Sequence, residues 1–198
     1  MSPMKKLNDI LRIRLLPIIE AVFSAAYRVL PNAIKPPNLA PVGGFAIYGG
    51  ARLPLWQALL LPLIAMAVSD LALRQMFGYP MFDRFAYASF VIYTLLGRWL
   101  LRNSKSWPRI VGVTALGSLQ FYLITNFGVW FSELGQANAM YAPTLAGLAT
   151  CYVKGLPFLA YTMESDLLFC LSFFALHEWA AKLSPSTARV LVPQEGVA

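Results

Sequence analysis

The residues best suited to chemistry are polar and aromatic groups spaced one helical turn apart. Tyr122, Asn126 and Trp130 recur at i, i+4 and i+8 of one uncharged run, and Thr162, Asp166 and Cys170 repeat that spacing in another. Side chains four apart share a helical face. Asp70 closes a further apolar run, and Tyr141 and Tyr152 sit near a polar break. If these faces meet, carboxylates, an amide and rings line one cavity. Apolar walls with a few fixed polar groups are what a small-molecule pocket needs. On the competing reading, Trp130 and Tyr141 belong to an aromatic belt, and Asp70 and Asp166 are solvated helix ends.

Catalytic and metal chemistry find little support. His177 is the sole histidine and precedes Glu178 and Trp179, with no nucleophile at a motif spacing. It reads as a histidine at a membrane interface, and the chain as a non-enzyme. Cys151 and Cys170 lie inside apolar segments and form no Cys-x-x-Cys pair, so neither zinc nor a disulfide framework is expected. Gly43-Gly44 and Gly49-Gly50 lack the lysine and strand context of a phosphate loop. No cofactor is implied. Glu20 is the deepest ionisable residue, and burial at membrane depth costs at least ~2.5 kcal/mol. It is either a proton or cation site or a carboxyl kept neutral or paired with a base on a neighbouring helix.

Small residues make a second pattern. Ala21 and Ala25 form a small-xxx-small pair, and Ala40, Gly43, Ala46 and Gly50 follow one face of a short segment. Such faces allow close helix approach. They serve either packing within the chain or docking onto another membrane subunit.

The elements that must position these residues follow from composition. Of 198 residues, 58% are hydrophobic and 13% charged, against roughly 25% charged in soluble domains. Such a chain cannot clothe a soluble fold, so the expectation is an all-α integral membrane protein solvated by the lipid bilayer. The net charge of +7 sits between apolar runs, as in membrane proteins, and gives no reason to invoke nucleic acid. About six transmembrane helices are expected, since each needs about 20 apolar residues. The segments are 14–30, a short 36–51 that cannot cross as a straight helix, 53–69 stopped by Asp70, 85–101, 110–132 and 162–181. Tyr141 to about residue 156 reads as a re-entrant or peripheral piece ahead of Pro157. Residues 1–183 then form a single transmembrane domain, and 184–198 a polar, disordered tail. The N-terminus has the outline of a signal peptide, but Pro17 and Glu20 interrupt its apolar core, so it is read as the retained first span. With both termini cytoplasmic, Lys5, Lys6, Arg12, Arg14, Arg52, Arg98, Arg102, Lys105, Arg109, Lys182 and Arg189 fall inside, 11 of the 16 basic residues.

Several stretches in combination, Pro37-Asn38-Leu39-Ala40-Pro41-Val42-Gly43, Ser69-Asp70-Leu71, Leu96-Gly97-Arg98, Thr125-Asn126-Phe127-Gly128-Val129-Trp130 and Tyr141-Ala142-Pro143-Thr144, resemble a bacterial family of uncharacterised integral membrane proteins. That family is similar to the substrate-binding S-components of energy-coupling-factor vitamin transporters. The resemblance implies a six-helix fold of the bacterial inner membrane and an outward vitamin-sized pocket. It also implies docking of small residues on the first helix onto a coupling subunit driven by two ATPases. By position it makes Asn38, Asp70, Asn126, Trp130, Tyr141 and Asp166 pocket candidates. The expected function is a membrane-embedded substrate-binding subunit for uptake of a vitamin or related small molecule. Its polar contacts would come from Asp70, Asn126 and Asp166 and its stacking area from Trp130, Tyr141 and Tyr152. The alternative is a non-transporting scaffold or assembly protein that binds partner helices.

Overall fold

A computed structural model describes residues 3–31, 34–35, 38–136 and 138–183, with side chains described from 15 to 180. These residues form six α-helices: α1 (Pro3–Val29), α2 (Val42–Arg52), α3 (Leu55–Phe77), α4 (Arg84–Leu101), α5 (Trp107–Ser132) and α6 (Leu145–Leu183). The all-α expectation holds. Three of the six, α3, α5 and α6, are long and apolar enough to cross a membrane. At 11 residues, α2 spans only ~16 Å and cannot.

That short helix is the centre of the molecule. Its sequence, VGGFAIYGGAR, contains four glycines, each costing about 1 kcal/mol against alanine in a helix. Helix propensity therefore does not make it. Burial does: every residue from Val42 to Ala51 is buried, under α4 and α6 above all. Phe45, Ile47 and Tyr48 meet Phe90 and Tyr93 of α4 and Phe173 and Phe174 of α6. The α2–α4 seam is backbone against backbone. A Cβ on Gly50 would lie 2.0 Å from the Thr94 carbonyl oxygen, and one on Gly97 2.1 Å from that of Ile47. Arg52 then locks the far end, donating to the carbonyls of Leu101, Arg102 and Ser104 at 2.7–3.2 Å and lying 4.8 Å above the Phe174 ring. It thereby satisfies acceptors that the end of α4 leaves open.

The small residues expected to dock a partner are consumed by this packing. Gly43 and Gly50 are fully inside, and Ala21 belongs to the same core with Ala25 half-buried beside it. The outer face of α1 instead carries Ile18, Ile19, Val22 and Phe23.

Two boundaries differ from expectation. α3 does not stop at Asp70 but continues to Phe77 and ends on Gly78, whose positive φ of 72° and N–H bond to the Arg74 carbonyl make a left-handed cap. The segment expected to be re-entrant is the first part of α6, a continuous 39-residue helix that carries Pro157 within it. The tail 184–198 lies outside the described residues.

Successive helices alternate in direction, which gathers their exposed tryptophans. Trp56 at the start of α3, Trp99 at the end of α4, Trp107 at the start of α5 and Trp179 near the end of α6 all lie at the Arg52 end. Interfacial tryptophans of this kind mark a bilayer boundary. From Trp56 to Arg74 the rise of α3 is about 27 Å, close to the ~30 Å of a hydrocarbon core. Between lie outward Leu60, Ile64 and Val68, an apolar exterior that water would not favour.

Glu20 is buried at 3% exposure, yet neither carboxyl oxygen has a hydrogen-bond partner, and the Ser24 hydroxyl one turn on also lacks one. An unmet buried polar group costs about 1–3 kcal/mol. Glu20→Leu is therefore expected to raise the unfolding midpoint in detergent; a lowered midpoint would mean the carboxyl is held by a contact. The helix seam gives a second test. Gly97→Ala is expected to destabilise by about 1–3 kcal/mol through overpacking, whereas Gly112→Ala, whose added Cβ meets nothing within 4 Å, should be neutral or stabilising in the same melts.

Candidate functional site

Asp166 sits in the middle of α6, 2% exposed, where an ionised carboxyl needs several donors. It has them from three other helices. Its Oδ2 accepts from Tyr93 Oη of α4 and, at 2.7 Å, from Ser118 Oγ of α5. The carboxyl also accepts from the Gly44 backbone N–H, one of the donors that the first turn of α2 cannot satisfy internally. Asp166 thus caps α2 from another helix, since Pro41 at the N-cap offers no side-chain acceptor. Gly43 makes the approach feasible: a Cβ there would lie 2.1 Å from Asp166 Oδ1. One residue earlier, Ser165 Oγ donates to the Ala40 carbonyl at 2.9 Å and fixes the chain entering α2.

Asp70 forms a second junction. Arg28 Nη1 donates to Asp70 Oδ1 at 2.5 Å and to Ser69 Oγ at 2.7 Å. Asp70 Oδ2 accepts from Tyr87 Oη at 2.9 Å and from the Phe82 N–H at 3.4 Å. Phe82 has φ 58°, a left-handed conformation that is costly for a bulky residue. The Asp70 contact and its ring against Tyr87 hold it there. Far from being a solvated end, Asp70 is 6% exposed and ties α1, α3, α4 and the 78–83 connection together.

A cavity of about 510 Å³ opens between these junctions, within the range of small-molecule sites. Asp166 and Tyr93 lie at its α6 and α4 walls, with Phe90 and Phe121 as aromatic surface and Arg28 and Lys35 as cations. Lys35 is 8% exposed and has no hydrogen-bond or ion-pair partner among the described residues. Burial, and then the neighbouring Arg28 charge, lowers its ammonium from the usual lysine value.

The expected site residues divide. Asn38 and Asp166 line the cavity, as does Gly43, which had been assigned to docking. Asn38 has φ 61°, a left-handed turn position that asparagine tolerates well. Asp70 reaches the cavity only through Arg28. Asn126, Trp130, Tyr141 and Tyr152 do not line it; they join the end of α5 to the start of α6. Trp130 Nε1 donates to the Ala142 carbonyl at 2.9 Å; Asn126 Nδ2 turns back to the Tyr122 carbonyl of its own helix at 2.9 Å, and the Cys151 thiol of α6 donates to the Asn126 carbonyl at 3.3 Å. Tyr122 Oη donates to the Tyr152 carbonyl at 2.7 Å and Tyr152 Oη to that of Leu123 at 3.0 Å. Tyr141 bonds the Cys151 thiol. Convergence of all these residues on one pocket is thus not what the fold does. At the opposite end His177 Nδ1 lies 3.1 Å from Tyr48 Oη.

Sequence reasoning missed Lys35, Tyr93 and Ser118. Single hydroxyls inside apolar runs carry no spacing signal, and Lys35 counted only as a loop charge.

The sequence profile of a family of unknown function, DUF6580, matches residues 8–188, and the chain belongs to that family. No curated protein and no solved structure matches it.

Removing the Asp166 carboxyl strands donors on three helices. Asp166→Ala is expected to cost about 2–4 kcal/mol and Tyr93→Phe about 1–2 kcal/mol. Chemical unfolding in detergent micelles measures both, and an Asp166→Ala protein as stable as the wild type would show the junction to be dispensable.

Proposed function

We propose that this protein is a membrane-embedded binding subunit that takes a vitamin-sized small molecule from the outer face. The cavity carries the reading. It combines aromatic walls, a cation without a counter-charge and fixed polar groups in a volume suited to such a ligand. The Asn38, Asp70 and Asn126 stretches resemble a family of uncharacterised membrane proteins that is in turn similar to S-components, which points the same way. In this reading the chain is multi-pass in a bacterial inner membrane, with both termini in the cytoplasm. The tryptophan-rich end, which also holds Arg98, Arg102, Lys105 and Arg109, faces inward. It performs no catalysis itself, and any energised uptake draws on a separate coupling subunit with ATPases.

One observation favours the scaffold reading instead. Asn126, Trp130, Tyr141 and Tyr152, four of the seven expected binding residues, lie where α5 meets the start of α6.

The two readings separate on cavity occupancy. Native mass spectrometry of the purified protein should find a co-purifying small molecule. Leu73→Trp, which fills the cavity from α3, should abolish it, and Val153→Trp, on the exposed side of α6, should keep it. A wild-type protein that carries no molecule, and whose unfolding midpoint no small-molecule library shifts, is a scaffold.

A further inference from the structure

The charged groups around the cavity are unequally satisfied, and that inequality selects a ligand. Arg28 directs its Nη1 to Asp70, Ser69 and the Met66 carbonyl, and Asp70 supplies its counter-charge. Asp166 holds three donors from within the fold and so offers little to a guest. Thr162 returns its hydroxyl to the Phe158 carbonyl at 2.8 Å. Of the charged groups that line the cavity, Lys35 alone has no hydrogen-bond or ion-pair partner among the described residues. A buried ammonium left in that state is costly and calls for an anion. Arg28 is answered by the Asp70 carboxylate, and the Asp166 carboxylate in the cavity wall is held by its own three donors, which leaves the Lys35 charge without a counter-ion of its own. Phe90 and Phe121 also line the cavity, packed against each other with tilted rings 5.5 Å between centroids, and offer apolar surface.

We propose that the cavity takes an amphipathic monoanion, whose carboxylate or phosphate group pairs with Lys35 while its apolar body lies against Phe90 and Phe121. The inference rests on the cavity being a binding site, and it adds the sign of the ligand's charge. The same chemistry occurs in a soluble aromatic acid and in a fatty acid drawn from the bilayer.

The test uses the full chain in neutral phosphatidylcholine nanodiscs and four probes: 2-naphthoate, its neutral analogue 2-naphthylmethanol, the cation 2-naphthylmethylammonium, and oleate. Binding is read by calorimetry and by the shift in unfolding temperature. Naphthoate should bind about tenfold tighter than the alcohol, and the ammonium should bind weakest. Lys35→Gln should remove that preference, weakening naphthoate about tenfold and leaving the alcohol within about twofold; Lys35→Arg should restore it. Because the Lys35 ammonium loses its proton at a lowered pH, the naphthoate preference should fade as pH rises into the alkaline range. Arg28, Tyr79, Tyr93 and Asp166 line the cavity with it and Asp70 pairs with Arg28, so the fading must be absent in Lys35→Arg. Naphthoate binding points to a soluble acid, and binding of oleate alone to a lipid-derived one. Equal binding of naphthoate and the alcohol, or a naphthoate affinity unchanged in Lys35→Gln, overturns the anion assignment while leaving the binding reading in place. Failure of all four probes to bind overturns both.

Discussion

A carboxylate buried among packed helices must find its donors in the rest of the chain, and Asp166 shows how much structure that one requirement organises. Its donors come from the first turn of α2, from Tyr93 on α4 and from Ser118 on α5. Four helices are thereby brought to a single point. The glycine at 43 follows, since any side chain there would occupy the carboxylate's place. So does the survival of α2 as a helix despite its glycines, because its open amides are met from outside. Asp70 repeats the arrangement for α1, α3 and α4 with Arg28 as counter-ion. Every helix enters one junction or the other, and the cavity is the space left between them.

The all-α class and most helix positions are legible in the sequence, because apolar runs bounded by charges mark out helices, three of them long and apolar enough to cross a membrane. α4 and α5 begin and end within a few residues of where those boundaries put them. The failures have a common cause. A charge was taken as an end, as at Asp70, but a charge cancelled by a partner 42 residues away does not interrupt a helix. Pro157 was taken as a break, yet the flanking turns continue through it. Local sequence reports the cost of a residue and not the partner that removes it.

The same limit explains the site. Spacing placed Tyr122, Asn126 and Trp130 on one face correctly, but a shared face does not say which neighbour it meets. Here it meets the first turns of α6, while the cavity is built by residues with no periodic signal. Asn38 enters through the family resemblance and Asp166 through its helical spacing with Thr162 and Cys170. Lys35 has neither signal, since it stands in a loop.

The burial of α2 also bears on how the chain is made. Its main partners, α4 and α6, are synthesised after it, and the acceptor for its open amides arrives with the last helix of all. Too short to enter a bilayer as a spanning helix, α2 has no stable place of its own until those helices are present. Biogenesis therefore cannot proceed by adding finished helices in the order of translation: the second element is completed by the sixth, and the centre of the molecule is the last part to close.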